Sequence, residues 1–450
     1  MRKSILLLSL ITSMGIIQAQ TSPAITSWLQ NTTQTGYYYT SGSSTPTSNS
    51  ILVNCQEVSY SSTYAYVKTK GVPAYTTGPF LDGNTSQATN QNAIFKFPLS
   101  PQQNTGTLST TTGGNIGVFI NGVALFDYRD GVSWSATSSA NKGGPLGGSG
   151  DGIWNRDAVP AEKSGFDCAK GHPAMGNYHH HQSPSAFDLD LNVLSTICST
   201  YDADGLYVID STKHSPLLGF AYDGFPIYGA YAYKNDDGTG GIVRMKSGYQ
   251  LRNISVRTHY SDGSNVADGP AVSSTYPLGT YREDYEFVTY ANMDDYLDAH
   301  NGRFCVTPEY PNGTYCYYAT VDAKWNSAYP YAVGPYFYGV YANRKVSSIS
   351  ESVTVYTNNT TAISKEDFNQ MNVSVFPNPV NDVIVVQAGP FLASDVKVQL
   401  FDMNGKLVAT TVINKGSTLA YFDAQALYEG TYIVTISSGE NQISKTVVVQ

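Results

Sequence analysis

The chain has 450 residues, of which only 14 % are charged, while 35 are Tyr and 41 are Gly. This composition is typical of an extracellular all-β protein with many turns and disfavours a helical bundle. The formal net charge is −9, from 35 acidic residues against 26 Lys and Arg, and no run of basic residues stands out. Nucleic acid and anionic membrane surfaces are therefore not expected as partners.

The first residues have the pattern of an export signal. Arg2 and Lys3 precede an apolar run from Ile5 to Ile17, and small-residue cleavage is available before Gln20. This pattern predicts a signal peptide over residues 1–19. The apolar run is too short to span a membrane, and no later stretch qualifies, so we expect an exported mature chain without a transmembrane segment.

The rest of the chain divides by its pattern into four parts. Residues 20–50 are a low-complexity segment, and alternating β-favouring segments over 51–346 predict a large, irregular, loop-rich β domain. A Ser/Thr/Asn-rich linker is predicted over 347–372. Short alternating strands over 373–450, with a hairpin at Asn404-Gly405, predict a small C-terminal β-sandwich.

Three local features of the large domain are predicted from turn and cap signals. Asn121-Gly122 between two apolar runs predicts a hairpin, and so does Asn312-Gly313 within Thr307 to Tyr318. The stretch from Asp294 to Arg303 predicts a short helix that ends at Gly302.

Four of the seven histidines lie between Asp167 and Pro184: His172, His179, His180 and His181. In an extended strand, His179 and His181 share one face while His180 points to the other. We expect His172 to be delivered from a preceding turn. Imidazole is the commonest metal-ligating side chain, so this segment predicts a metal site.

Further candidate ligands for this site lie among the acidic and histidine residues later in the chain. Asp223 and His214 are candidates for a fourth ligand or for residues that orient an imidazole. Copper and zinc both suit imidazole ligands, and if one coordination position is left to water the site is catalytic.

The five cysteines allow disulfides in an exported protein. Cys168 with Cys198 and Cys305 with Cys316 are the candidate pairs, although the connectivity does not follow from the sequence. One thiol is left over, either a plain buried Cys55 or a soft metal ligand at Cys316.

The C-terminal part resembles a known secretion module. The matching motifs are Phe376 to Val380, Phe401 to Leu407, Leu427 to Val434 and Lys445 to Val449. They resemble the sorting domain of cargo for the type IX secretion system of Bacteroidetes. The resemblance implies that the secretion machinery is a partner, that the chain crosses the outer membrane, and that it is secreted or anchored at the cell surface.

The central part, with a core of about 93–341, resembles the YHYH family of exported proteins. The matching motifs are Ile116 to Ala124, Gly171 to Pro173, Tyr178 to His181, His214 to Ala221 and Asp223 to Gly229. His180 replaces a Tyr of the eponymous motif, and the two same-face histidines are kept. Tyr315 to Tyr318 resembles a degenerate second copy of the motif that contains no histidine. The family's function is unsettled, so the resemblance implies no reaction.

The sequence leaves three functions open. The leading one is a secreted protein whose clustered histidines bind copper or zinc, with or without catalysis. The second is a metal-free hydrolase or lyase acting on extracellular polymer, with His179 or His181 as base and Asp223 or Glu309 as its carboxylate partner. The third is a structural or adhesive surface protein. The candidate catalytic residues are therefore His179, His181 and Asp223.

Overall fold

A computed structural model describes residues 22–184, 198, 206–207, 209–291, 293–357, 372–389, 395–414, 417–438 and 441–450. The predicted signal peptide lies outside these residues. Strands dominate, which confirms the all-β prediction. The helices are α1 (Pro23–Thr26) and α2 (Ala158–Glu162), with 3-10 turns at Gly144–Leu146, Lys163–Gly165 and Arg282–Asp284. No helix of the described residues has the length and apolar character needed to cross a membrane.

The strands of the large domain are short and follow one another at turn-rich intervals. In chain order they are β1 (Thr35–Tyr38), β2 (Thr47–Leu52), β3 (Cys55–Tyr60), β4 (Tyr64–Thr69), β5 (Ala93–Pro98), β6 (Asn115–Phe119), β7 (Ala124–Phe126), β8 (Arg129–Ser135), β9 (Ala140–Gly143), β10 (Asn155–Asp157), β11 (His172–Ala174), β12 (Asn177–His180), β13 (Leu217–Ala221), β14 (Pro226–Tyr228), β15 (Tyr231–Tyr233), β16 (Ile242–Arg244), β17 (Tyr249–Leu251), β18 (Tyr285–Phe287), β19 (Gly302–Cys305), β20 (Thr314–Tyr318), β21 (Lys345–Val346) and β22 (Thr354–Val355).

Two sheets enclose the main core of this domain. Among the described residues, the larger sheet has the order β11-β12-β7-β6-β13-β14-β20-β19, and the other has the order β21-β5-β4-β3-β22. Trp28, from the segment predicted as low-complexity, packs its ring 5.4 Å from those of Phe97 and Phe220 and so joins the two sheets. β22 lies inside the predicted linker and pairs with β3. The proposed domain boundaries stay predictions.

The larger sheet has an internal two-fold relation between its halves. The hairpin β6–β7 corresponds to the hairpin β13–β14, and β6 and β13 pair antiparallel at the centre, where Val118 faces Phe220. Outside them, β12 pairs parallel with β7, and β20 pairs parallel with β14. The edge strands β11 and β19 each pair antiparallel with their neighbour. The two halves therefore present equivalent edges.

The turn before each edge hairpin is held by a buried carboxylate. Asp167 accepts hydrogen bonds from the backbone amide of Gly171 and from the hydroxyl of Tyr178. In the other half, Asp298 accepts them from the amide of Gly302 and the hydroxyl of Tyr315. Each aspartate thus ties the start of its hairpin to the opposite strand.

The same carboxylate explains why the predicted helix over Asp294 to Arg303 is wrong. The residues form turns instead, and β19 begins at Gly302. Asp298 also accepts a hydrogen bond from the backbone amide of His300. Its side chain therefore binds backbone amides that would donate to backbone carbonyl groups in a helix.

The hairpin predictions agree with the structure better than the helix prediction does. Asn121-Gly122 joins β6 to β7, with Gly122 at a φ of 79°, as predicted. A hairpin also turns near Gly313, where φ is 77°, but its first arm is β19 rather than the residues from Thr307 onward.

The C-terminal part is a β-sandwich, as predicted. Its strands are β23 (Asn372–Phe376), β24 (Val383–Gly389), β25 (Val396–Asp402), β26 (Leu407–Ile413), β27 (Leu419–Asp423), β28 (Gly430–Ser438) and β29 (Asn441–Val449). The sheets β23-β24-β27 and β26-β25-β28-β29 share a core of Val, Ile, Leu and Phe side chains. The hairpin at Asn404-Gly405 joins β25 to β26.

The close approach of strand and turn at the two equivalent glycines yields a prediction. A Cβ at Gly171 would lie 2.3 Å from the Tyr178 hydroxyl, and one at Gly302 would lie 2.4 Å from the Tyr315 hydroxyl. We expect Gly171→Ala and Gly302→Ala each to lower the free energy of unfolding by about 1–3 kcal/mol, measured by chemical denaturation. Gly106→Ala is the control, since its nearest atom would lie 3.5 Å away. Equal effects in all three variants would contradict the packing argument.

Candidate metal centre

The hairpin β11–β12 brings three histidines together. Pairing of the two strands sets His172 opposite His179. His181 follows β12 directly and shares a face with His179. Among the described residues, only these three form a group of metal-ligating side chains whose donor atoms lie within 4.8 Å of one another. All three are buried, with exposed fractions of 7 %, 1 % and 3 % for His172, His179 and His181.

Backbone carbonyl groups fix which nitrogen of two histidines faces inward. His179 Nδ1 lies 2.8 Å from the carbonyl oxygen of Asn177, and His181 Nδ1 lies 2.5 Å from that of Asp127. A carbonyl oxygen only accepts, so both Nδ1 atoms donate a proton. In the neutral rings, the lone pairs of the two Nε2 atoms then face each other at 3.1 Å. Such an arrangement requires a cation between or beside them, either a proton or a metal ion.

Glu162, the last residue of α2, completes the group. Its Oε2 lies 3.2 Å from Nε2 of His172 and 3.2 Å from Nε2 of His181. Both Glu162 Oε2 and His172 Nε2 are buried, but their contact at 3.2 Å does not have the geometry of a hydrogen bond, so among the described residues neither atom has a hydrogen-bond partner. Buried polar atoms are normally satisfied, so a negatively charged carboxylate and an orphaned imidazole nitrogen here favour a bound cation.

The pKa values follow from burial and from these contacts. Burial, reinforced by the charges of His181 and His172, holds the pKa of His179 well below its usual value. Burial also opposes charge on His181, but the Glu162 carboxylate outweighs it and raises the pKa of His181. Burial would raise the pKa of Glu162, and the contacts with His172 and His181 lower it instead. The site is thus built around a neutral His179 and an ionised Glu162.

Aromatic rings line the site and hold the imidazoles in place. Phe126, at the end of β7, stacks on His179 with ring centroids 3.7 Å apart. Phe166 packs its ring edge-to-face with His172 at 5.0 Å. Apolar walls of this kind strengthen electrostatic interactions inside the site.

His180 points to the opposite face, as the alternation of a strand predicts. Its Nε2 lies 2.6 Å from the hydroxyl of Tyr75, and its Nδ1 lies 3.1 Å from the carbonyl oxygen of Lys170. Burial lowers the pKa of His180 to about 3. Both of its nitrogens are engaged in the fold, so His180 is a structural residue.

The structure does not bring His214 or Asp223 into the histidine group. Asp223 sits in the β13–β14 turn and accepts hydrogen bonds from the Tyr317 hydroxyl at 2.5 Å and the Gly339 amide at 2.8 Å. His214 packs edge-to-face on Tyr228 at 5.1 Å. Burial lowers the pKa of His214 to about 4. Asp223 is therefore a turn residue of the second half of the sheet.

Glu309, the other carboxylate partner considered for an acid–base role, also belongs to the second half. It accepts a hydrogen bond of 2.8 Å from the Tyr228 hydroxyl. The carboxylate beside the histidines is Glu162, which the sequence reasoning missed. A single acidic residue ten positions before His172 carries no spacing signal, and only the packing of α2 places it there.

One of the two predicted disulfides is formed. Cys168 and Cys198 are bonded, which ties the turn before the histidine hairpin to a later segment. Cys305 and Cys316 are free, so that prediction is wrong, and Cys55 is a free buried thiol as expected. In the strand register Cys305 faces Thr314 while Cys316 faces Arg303, so the two cysteines are diagonal rather than opposite. Diagonal positions are about 7–8 Å apart, beyond the usual disulfide span.

The donor set fits a transition metal. A tetrahedral ion with Zn–N bonds of about 2.0–2.1 Å needs nitrogens about 3.4 Å apart. The His179–His181 pair, at 3.1 Å, is near this value. Each Nδ1 proton bound to a carbonyl group is the usual arrangement for a metal-ligating histidine. His172, His179 and His181 would hold the ion, with Glu162 beside it.

Fold and site together define an all-β protein that carries a buried histidine triad and a C-terminal β-sandwich. Residues 94–330 match the family described as YHYH protein, and the chain belongs to this family. Residues 374–450 match the secretion system C-terminal sorting domain. A search of the curated proteins finds no match. The sorting domain, of the type IX system, indicates export and a secreted or cell-surface location. The signal peptide and the bacterial phylum stay predictions.

The sorting domain provides a prediction about localisation. Deletion of residues 373–450 should leave the chain in the periplasm, because the secretion machinery then has nothing to bind. Cell fractionation and surface labelling would measure this. The control is the full-length His179→Ala/His181→Ala variant, which keeps the sorting domain and should still reach the surface. Surface delivery of the truncated chain would contradict the assignment of residues 374–450 as the export determinant.

Proposed function

We propose that the YHYH domain is an extracellular metal-binding domain in which His172, His179 and His181 hold a copper or zinc ion. The observation that carries the proposal is the convergence of the donor atoms of His172, His179 and His181 within 4.8 Å of one another in a buried site, with the Nε2 atoms of His179 and His181 3.1 Å apart. A donor set of imidazoles without sulfur suits Zn(II) and Cu(II).

In the proposed site, Glu162 acts either as the fourth ligand, through a carboxylate oxygen, or as a base beside the ion. With three imidazoles as ligands, a carboxylate or a water molecule completes a tetrahedral ion. Bound there, the ion would supply Lewis-acid activation of water, and Glu162 is placed to accept a proton beside it.

Metal content is the first test. We expect the untagged wild-type protein to bind one copper or zinc ion per chain, measured by elemental analysis. At a metal concentration of about 100 times Kd, binding should stabilise the fold by about 2.7 kcal/mol in thermal unfolding. The His179→Ala/His181→Ala variant should lose both effects, because two of three ligands are gone.

His259→Ala is the matched control, because His259 is an exposed histidine outside the triad. It should keep the metal and the stabilisation. Wild-type protein that takes up no ion after reconstitution, or a double variant that binds as much as the wild type, would refute the metal site. The same histidines and Glu162 would then be tested as acid–base residues.

Glu162 has its own test. Glu162→Gln keeps the size of the side chain and removes its charge, so we expect metal affinity to fall about 10- to 100-fold while binding persists. Competition with a chelator of known affinity would measure the change. An unchanged affinity would show that the carboxylate plays no part in binding the ion.

A further inference from the structure

The two-fold relation of the large sheet extends to the positions of the histidine ligands. In the first half, His180 pairs with Leu125 of β7; in the second half, Tyr317 pairs with Ile227 of β14. Superimposing the two registers gives one residue of the second half for each ligand of the first. The correspondence is His172 with Arg303, His179 with Cys316 and His181 with Tyr318.

A second cysteine lies next to this equivalent position. Cys305 is on β19, two register steps from the partner of Cys316, and both cysteines are completely buried. The sulfur of Cys305 lies 2.8 Å from the hydroxyl of Tyr318. Interaction with the Cys316 thiol, together with Tyr318 and Arg303, lowers the pKa of Cys305 to about 7 against the effect of burial. Burial, reinforced by the Cys305 thiol, holds the pKa of Cys316 well above its usual value, so an ion bound by both sulfurs would have to displace the Cys316 proton.

Arg303 supplies a fixed positive charge beside the two sulfur atoms. Its terminal nitrogens donate to the carbonyl oxygens of Lys234 and Asp294 at 2.8 Å and to that of Tyr233. Its Nε is buried and has no hydrogen-bond partner among the described residues. A guanidinium always carries a positive charge, so it disfavours the binding of a multivalent cation nearby. Two thiolates with a monovalent cation carry a net charge of −1, which Arg303 neutralises.

We propose that Cys305 and Cys316 form a second metal site that binds a soft monovalent cation of the Cu(I) class. Thiolate ligands select soft ions, whereas the imidazoles of the first half suit Zn(II) or Cu(II). The diagonal placement of the two cysteines disfavours a disulfide and leaves both sulfurs available as donors. The proposal does not depend on metal binding by the histidines.

The test uses full-length protein in the His179→Ala/His181→Ala background, so that the histidine triad does not contribute. Ag(I), or Cu(I) kept reduced with ascorbate, is titrated in. We expect one ion per chain and a thiolate-to-metal charge-transfer absorbance in the ultraviolet. Adding Cys305→Ser or Cys316→Ser should abolish both. Cys55→Ser, which removes the third free buried thiol, should leave both unchanged.

Two further measurements test ligation by the sulfurs of Cys305 and Cys316 without relying on the serine variants. X-ray absorption at the silver or copper edge should show two sulfur neighbours; a shell of nitrogen and oxygen alone would overturn the proposal. Intact mass and thiol counting of the denatured, unreduced protein should give three free thiols. A single free thiol would mean that Cys305 and Cys316 are bonded to each other, which also overturns it.

Discussion

The carboxylate of Asp167 is the constraint on which the histidine site depends. It is completely buried, and it accepts hydrogen bonds from the amides of Ala169 and Gly171, from the distant amide of Gly78, and from the Tyr178 hydroxyl. Burial raises the pKa of Asp167 to about 7, and these donors limit the rise. By holding both the turn and the strand next to His179, the carboxylate fixes the register that sets His172 opposite His179.

That geometry has an energetic consequence. A protein selected only for stability would not bury three imidazoles and a carboxylate and leave Nε2 of His172 and Oε2 of Glu162 without a hydrogen bond among the described residues, since each unsatisfied group costs about 1–3 kcal/mol. Violations of this kind are expected at functional sites and are offset elsewhere in the fold. In this domain the free-energy cost is offset by the burial of the apolar strand β13 and of the large aromatic core.

The sequence was informative where the structure is local and periodic. Alternation along Asn177 to His181 placed His179 and His181 on one face, and Asn121-Gly122 marked a hairpin. Prediction from the sequence failed where long-range packing determines the structure. Glu162 reaches the site only through the position of α2, and the helix expected before Arg303 was prevented by the Asp298 side chain, whose effect depends on a turn that no short pattern reveals. The diagonal register of Cys305 and Cys316 likewise follows from pairing, not from spacing.

The two halves of the sheet show how little the backbone alone decides about chemistry. Both halves have the same strand order, the same aspartate-held turn, and a tyrosine that meets its carboxylate, Tyr178 in one half and Tyr315 in the other. On these equivalent edges, one half presents imidazoles beside a carboxylate and the other presents thiols beside a guanidinium. The local charge is reversed along with the donor atoms, and the ions proposed for the two edges differ accordingly in charge and softness. The donor atoms that this fold presents are therefore set by a few side chains on a repeated scaffold, and family membership by itself names no reaction.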